Sequence, residues 1–127
     1  MMDKNGRTEL HYAALECKPT VIASLFESGV DPNAADNLGF TPLHFAAQSQ
    51  CAEVVLMLVE KGAEIDKKNS VGNTPLGLAI FNYRGDGEVI KILLKAGANP
   101  NLQNNAGVSP KTLAQRIGNY DVSKFFC

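Results

Sequence analysis

The sequence predicts an all-α repeat solenoid, a stack of four helix-turn-helix units with projecting β-hairpin loops. Three observations predict it. A hydroxyl residue two positions after a glycine recurs at Thr8, Thr41, Thr74 and Ser109, at intervals of 33, 33 and 35 residues. Two short apolar segments follow each of these signals, and in the first three units a glycine ends the second segment. Such a period is typical of stacked repeats, in which each unit buries the apolar side of its neighbour.

Each unit opens with a predicted tight turn. An Asx residue lies three positions before the repeating glycine, at Asp3, Asp36, Asn69 and Asn104. Asx side chains bond nearby backbone groups, and glycine adopts positive φ without steric cost. These turns are therefore expected to be the tips of the hairpins.

The first helix of each unit is predicted to begin directly after the hydroxyl residue, which caps free backbone N–H groups. Proline stands at the first helical position in three units, where its fixed φ suits a helix start: Pro42, Pro75 and Pro110. Glu9 replaces proline in the first unit, and an acidic residue also suits a first turn.

The second helix of each unit is predicted from apolar residues at spacings of three and four, which share one helical face. The glycines Gly29, Gly62 and Gly97 are expected to end these helices in the first three units. The four predicted second helices run from about Thr20 to Ser28, Glu53 to Lys61, Glu88 to Ala96 and Asp121 to Phe126.

The segment from Thr41 to Ala46 reads TPLHFA and matches the signature T-P-L-H-x-A, so the chain resembles the ankyrin repeat. The resemblance covers a single domain, 1–127, with repeats at about 3–35, 36–68, 69–103 and 104–127. It implies an L-shaped stack whose concave face is built from hairpin tips and first helices. It also implies that His11 and His44, which occupy the same repeat position, are structural and bond neighbouring hairpin backbone.

The fourth repeat is predicted to be a C-terminal cap. Lys111 and Thr112 stand where inner repeats carry leucine and histidine, and further polar residues follow at Gln115, Arg116 and Asn119. We expect Phe125 and Phe126 to pack back onto the third repeat.

Composition excludes several function classes. Of 127 residues, 45% are hydrophobic, which is typical of a folded soluble protein. The formal net charge is −1, so the chain lacks the positive field that would attract nucleic acid or an anionic membrane. No secretory signal or membrane-spanning stretch is evident, so a cytoplasmic location is expected. The cysteines Cys17, Cys51 and Cys127 form neither an even set nor a CxxC pair, which predicts free thiols without a disulfide framework or structural zinc.

The residues that could support catalytic or metal chemistry have structural explanations or lack the required pattern. Cys17 with a histidine could form a nucleophile pair, but the repeat explains both histidines. The acidic residues Asp31, Asp36, Asp66 and Asp86 do not form a Ca²⁺-binding loop. No nucleotide-binding or hydrolase motif occurs. The sequence therefore predicts a protein that is not an enzyme and uses no cofactor or metal.

A partner-binding surface is predicted on the concave face. Phe40 is an aromatic residue at a hairpin tip with little core to join, although exposed apolar residues are also ordinary. The third repeat contains two inserted residues between its helices, in a turn that brings Tyr83 and Arg84 together. Either this turn contacts the partner, or it only tolerates the two extra residues. We expect replacement of both by alanine to weaken binding at least tenfold. The predicted contacts are Arg7, Phe40, Gln48, Asn73, Phe81, Asn82, Tyr83, Arg84 and Asp86.

The predicted function is binding of another protein by a monomeric repeat domain, with no nucleic acid or membrane as partner. Four repeats without an effector domain favour action by occupying a partner's surface, as an inhibitor, an immunity-type antidote or an accessory subunit. Two alternatives stay open: a structural protein that assembles through its uncapped first repeat, and an enzyme with an unrecognised site.

Overall fold

The computed structural model describes residues 2–116 and 125. This part of the chain contains helices and no β-strand, which confirms the predicted all-α repeat solenoid. None of these helices is long and apolar enough to cross a membrane. The helices are α1 (Glu9–Leu15), α2 (Pro19–Glu27), α3 (Pro42–Gln48), α4 (Ala52–Glu60), α5 (Pro75–Phe81), α6 (Glu88–Lys95) and α7 (Pro110–Arg116).

The first helices begin where the sequence predicts. The hydroxyl oxygen of Thr41 accepts the backbone N–H of His44 at 3.4 Å, and that of Thr74 accepts the N–H of Gly77 at 3.3 Å. Ser109 caps α7 in the same way through Thr112, at 3.1 Å. Local side-chain chemistry thus sets these helix starts.

The projecting loops are tight turns rather than two-stranded hairpins. In the second repeat one Asp36 carboxylate oxygen accepts the N–H groups of Leu38 and Phe40, at 2.9 and 2.8 Å. Single backbone hydrogen bonds join successive tips, as from the Ser70 N–H to the Leu38 carbonyl at 2.9 Å. At Gly72, which has φ of 82°, an added Cβ would lie 2.7 Å from the Asn105 backbone nitrogen, so glycine lets the tips approach.

The helices form two layers. In one layer α1, α3, α5 and α7 pack in succession, and in the other α4 lies between α2 and α6. Each layer buries a column of equivalent apolar residues, and Lys111 is exposed at the equivalent position of the fourth repeat. The columns are Leu10, Leu43 and Leu76 in the first layer, and Ile22, Val55 and Ile90 in the second.

The far C-terminus is described only at Phe125. Its ring lies edge-on to Tyr83, with centroids 6.0 Å apart, which confirms packing onto the third repeat. The predicted helix at 121–126 and the expected packing of Phe126 otherwise lie outside the described residues.

The prediction of free thiols is wrong for two of the three cysteines, because Cys17 and Cys51 form a disulfide. The prediction used only the number and spacing of the cysteines. It did not consider that the turns between the two helices of a repeat lie next to each other in neighbouring repeats. The stack places these two residues with Cα atoms 5.8 Å apart, within the usual range for a disulfide. Cys127 lies outside the described residues.

Candidate functional site

Three rows of equivalent residues from the four repeats lie on the side of the stack that the resemblance predicts to be concave, and we call this side the concave face. The tip row precedes the capping hydroxyl, the helix row lies four residues after it, and the edge row three residues further on. The tip row is Arg7, Phe40, Asn73 and Val108; the helix row is Tyr12, Phe45, Leu78 and Leu113; the edge row is Leu15, Gln48, Phe81 and Arg116.

The N-terminal half of this face is filled by its own side chains. Phe40 stacks on Phe45 with ring centroids 5.2 Å apart, and the Arg7 guanidinium lies 5.0 Å from the Phe45 centroid. Arg7 also pairs with Asp36, at 3.2 Å between Nε and Oδ2. The expectation that Phe40 has little core to join is therefore wrong: the ring is half-buried, because it packs on Phe45 of α3 in the same repeat.

Both histidines of the repeat are structural, as the resemblance implied. His44 Nδ1 accepts the Thr41 N–H at 3.1 Å, so Nε2 carries the proton and donates to the Asn73 carbonyl at 3.0 Å. His11 makes the matching bonds in the first repeat, at 3.0 and 2.9 Å. Burial lowers the pKa of His44 to about 4. Since these ring nitrogens are occupied and Cys17 is in a disulfide, the Cys-His nucleophile pair is excluded.

The C-terminal half of the face is open. A groove of about 320 Å³ runs between the third and fourth repeats, with mostly apolar walls and Asn73 and Asn104 also in its lining. Phe81 is 69% exposed, more than the other large hydrophobic residues of the described chain. We call this the Phe81 groove; its apolar walls are Leu78, Phe81, Val108 and Leu113.

The predicted contact residues of the third repeat are distributed between this groove and the turn that follows it. Asn73 and Phe81 line the groove. Asn82 donates from its amide to the Leu78 carbonyl at 2.8 Å. In the turn between α5 and α6, Asp86 accepts the Glu88 N–H at 3.1 Å and Arg84 is exposed.

The remaining predicted contact, Gln48, is half-buried in the edge row. The groove residues Leu78 and Leu113 escaped the sequence prediction, since helical periodicity assigns both to the core. Their alignment with Tyr12 and Phe45 across the repeats is the signal that identifies them. In the described part of the chain, no group of three or more His, Cys, Asp or Glu side chains is placed to hold a metal ion.

Comparison with known proteins agrees with the repeat geometry. The family model for three copies of the ankyrin repeat matches residues 1–69, and the single-repeat model matches residues 71–105. No curated protein matches the chain significantly. The matches span helices α1 to α6 with both bridging histidines, and the chain belongs to the ankyrin-repeat family.

Proposed function

We propose that this protein binds a partner protein through its concave face, with the Phe81 groove at the centre of the contact. Ankyrin repeats are in general protein–protein interaction modules. The groove is the observation that carries the proposal for this chain, because its apolar walls remain open and Phe81 is 69% exposed. Exposed apolar clusters bordered by polar groups are typical of binding sites, and interfaces favour aromatic anchors.

The groove is supported by a face whose backbone is already ordered. Histidine bridges join each of the first two repeats to the next, and tip-to-tip hydrogen bonds continue to the fourth, where Asn105 N–H donates to the Val71 carbonyl at 3.0 Å. A surface that is ordered before association loses little conformational entropy on binding. This favours recognition by shape complementarity.

The proposed mode of action is occupation of the partner's surface. An inhibitor, an immunity-type antidote and an accessory subunit all act in this way. Ankyrin repeats typically work by binding rather than by catalysis. We further propose that Arg84, exposed in the longer turn of the third repeat, extends the contact beyond the groove.

The test compares partner capture by two variants that make equivalent changes on different faces. Phe81→Ser removes the exposed aromatic of the groove, whereas Leu56→Ser changes an apolar residue that is 46% exposed on α4, away from the concave face. Tagged wild-type protein and both variants are incubated with extract of the native cell, and captured proteins are quantified by mass spectrometry. The captured amount of a specific partner should fall at least tenfold with Phe81→Ser and stay unchanged with Leu56→Ser. Equal capture by both variants would reject the concave face as the binding surface.

A second candidate function is self-assembly through the outer side of the first repeat. A groove of about 230 Å³ lies there, bordered by the partly buried residues Leu25 and Val30. Stacking of another copy would cover it. Light scattering of the pure protein separates this function from the first, since self-assembly predicts a mass that rises with concentration.

A further inference from the structure

The disulfide joins the starts of the second helices of the first two repeats. Cys51 is the N-cap residue of α4, and Cys17 stands two positions before Pro19, the first residue of α2. The crosslink therefore holds the N-terminal end of α2 beside the N-terminal end of α4.

The remainder of α2 packs less tightly than α4. Both helices contain nine residues, but α2 fully buries Ile22 alone, whereas α4 buries three residues. The other large apolar residues of α2 are only partly buried: Val21, Leu25 and Phe26. An open groove of about 370 Å³ lies between the two helices, with Phe26 of α2 and Met57 of α4 in its lining. Since few buried contacts are typical of segments that open locally, α2 is weakly attached beyond its start.

The polar contacts between the first two repeats hold α1 rather than α2. His11 of α1 bridges to the second repeat at 2.9 Å, and the Ser49 hydroxyl donates to the carbonyl of Leu15, also of α1, at 2.6 Å. Within residues 2–116, no hydrogen bond or ion pair joins α2 to the second repeat. Lys61 Nζ lies 5.7 Å from the centroid of the Phe26 ring, as a cation–π contact. Without the crosslink α1 stays attached, whereas α2 loses its firmest link.

The two sulfur atoms of the disulfide belong to residues that differ in exposure. Cys17 is exposed, whereas Cys51 is 6% exposed. A thiolate reduces a disulfide by attacking one of its sulfur atoms, and access influences which sulfur is attacked. Attack is therefore expected at Cys17 Sγ. Cys51 then leaves as a thiolate at the N-terminus of α4, where the helix dipole favours negative charge.

We propose that Cys17 is a site of thiol–disulfide exchange, and that reduction of its bond to Cys51 releases α2 from α4. The reductant is a dithiol. Its first thiolate forms a mixed disulfide with Cys17 Sγ and displaces the Cys51 thiolate, which takes up a proton. Its second thiolate attacks the reductant's own sulfur in the mixed disulfide and displaces the Cys17 thiolate, which is also protonated. The reductant ends as a disulfide and both cysteines end as thiols.

Release of α2 changes the layer of second helices and leaves the concave face in place. Ile22 and the side of α4 that faces Phe26 become accessible. The Phe81 groove keeps its walls, because it is lined by residues of the third and fourth repeats. The inference therefore goes beyond the proposed function and does not depend on it, since the redox state controls a different surface.

Hydrogen exchange followed by mass spectrometry tests the release of α2. The oxidised protein is compared with protein treated with dithiothreitol, a dithiol. Loss of a crosslink over 34 positions should raise exchange at the α2 amides by about tenfold or more, because open states of α2 gain conformational freedom. The increase at the α5 amides should be smaller, since only wider unfolding exposes them. Equal protection of α2 in both forms, or an equal increase in α2 and α5, would overturn the proposal.

Three controls connect this effect to the disulfide. Cys17→Ser/Cys51→Ser should show fast α2 exchange without dithiothreitol and should not respond to it. Cys127→Ser keeps the crosslink and should respond as the wild type does. Reoxidation of the reduced wild type with oxidised glutathione should restore the protection of α2, which covers the case in which the serine variant does not fold. Fast exchange that persists after the bond has formed again would also overturn the proposal.

A second experiment identifies the attacked sulfur. Cys127→Ser, which retains only the two bonded cysteines, is treated with glutathione, a monothiol, and quenched with excess iodoacetamide in urea. Peptide mass spectrometry then locates the glutathione and the alkyl group. We expect glutathione on Cys17 and the alkyl group on Cys51, with the reverse product at least about fivefold rarer. An equal distribution, or an excess of the reverse product, would overturn the assignment of Cys17 as the exchange site.

Discussion

Cys17 and Cys51 join the first repeat covalently to the second, through the turns that connect the helices within each repeat. One repeat later, Gln50 stands at the position of Cys17 with the same left-handed backbone, φ of 59° against 57°. Its side-chain amide donates to the Ala79 carbonyl of the third repeat at 2.8 Å. The same turn position therefore links consecutive repeats, first by a disulfide and then by a hydrogen bond.

Reduction of the disulfide should lower the stability of the stack. It connects residues 34 positions apart, and a crosslink over a loop of that length stabilises a fold by about 3 to 4 kcal/mol in the chain-entropy estimate. We expect dithiothreitol, or the double variant Cys17→Ser/Cys51→Ser, to lower the melting temperature by about 10 °C in calorimetry. Cys127→Ser serves as the control for cysteine loss, and an unchanged midpoint after full reduction would contradict the prediction.

Acid should destabilise the protein partly through His44. Its pKa falls from 6.5 to about 4 on folding, because the buried ring loses hydration, so the folded state binds fewer protons than the unfolded state between these values. The part of the free energy of unfolding that depends on a neutral His44 is fully present above about pH 6.5 and is lost as the pH falls toward about 4. The loss amounts to roughly 3 kcal/mol.

Urea denaturation between pH 7 and pH 4 measures this effect. Carboxylates also titrate in this range, so the comparison is with His44→Gln, which keeps the carboxylates and removes the imidazole. The variant should start less stable and lose less free energy of unfolding over the interval. A parallel decline in both proteins would show that His44 does not titrate in this way.

The Arg7–Asp36 ion pair should stabilise the fold, because Arg7 is the partner of a buried carboxylate oxygen of Asp36. The Asp36 side chain is 1% exposed and that of Arg7 is 27% exposed, so Arg7→Ala leaves a buried carboxylate oxygen without its partner. We expect a loss of about 2 kcal/mol in the free energy of unfolding. Asparagine fills the equivalent position in the third repeat, where Asn69 Oδ1 accepts the Val71 and Asn73 N–H groups at 3.1 and 3.0 Å.

Adding Asp36→Asn to Arg7→Ala should therefore recover part of the stability, since a neutral amide needs no cation and still closes the turn. The two single variants and the double variant, unfolded in urea, give the coupling energy directly. Strict additivity would indicate that the ion pair contributes nothing beyond its separate residues.

The contact between Tyr83 and Phe125 should attach the C-terminus to the third repeat. Edge-to-face aromatic pairs contribute about 0.5 to 1.5 kcal/mol beyond the area they bury. We expect a coupling energy of that size from a double-mutant cycle of Tyr83→Ala, Phe125→Ala and the two substitutions together. Removal of residues 125–127 should lower the melting temperature, while Arg84→Ala, at an exposed neighbour, should change stability by less than about 0.5 kcal/mol. An unaltered melting curve after truncation would contradict the packing.

This contact also changes how the predicted Tyr83–Arg84 pair must be tested. Because Tyr83 packs on Phe125, its replacement alters stability as well as any partner contact. Binding effects in the turn are therefore measured with Arg84→Ala alone.

The sequence by itself determined several local features. These are the starts of α3, α5 and α7, the turn at Asp36 and the glycines that follow the second helices. Each depends on groups within a few residues of one another, such as the Thr41 hydroxyl and the His44 N–H. Hydrogen-bonding capacity and allowed backbone angles decide such features locally, and the repeat period then gives the order of the stack.

Only the tertiary structure decided which side chains of neighbouring repeats meet. It paired Cys17 with Cys51, placed Arg7 against Asp36 and left the groove at Phe81 open. These outcomes depend on the offset and rotation of one repeat against the next, which place residues about 30 positions apart within contact distance. Packing between repeats sets that arrangement, so no local pattern in the chain contains it.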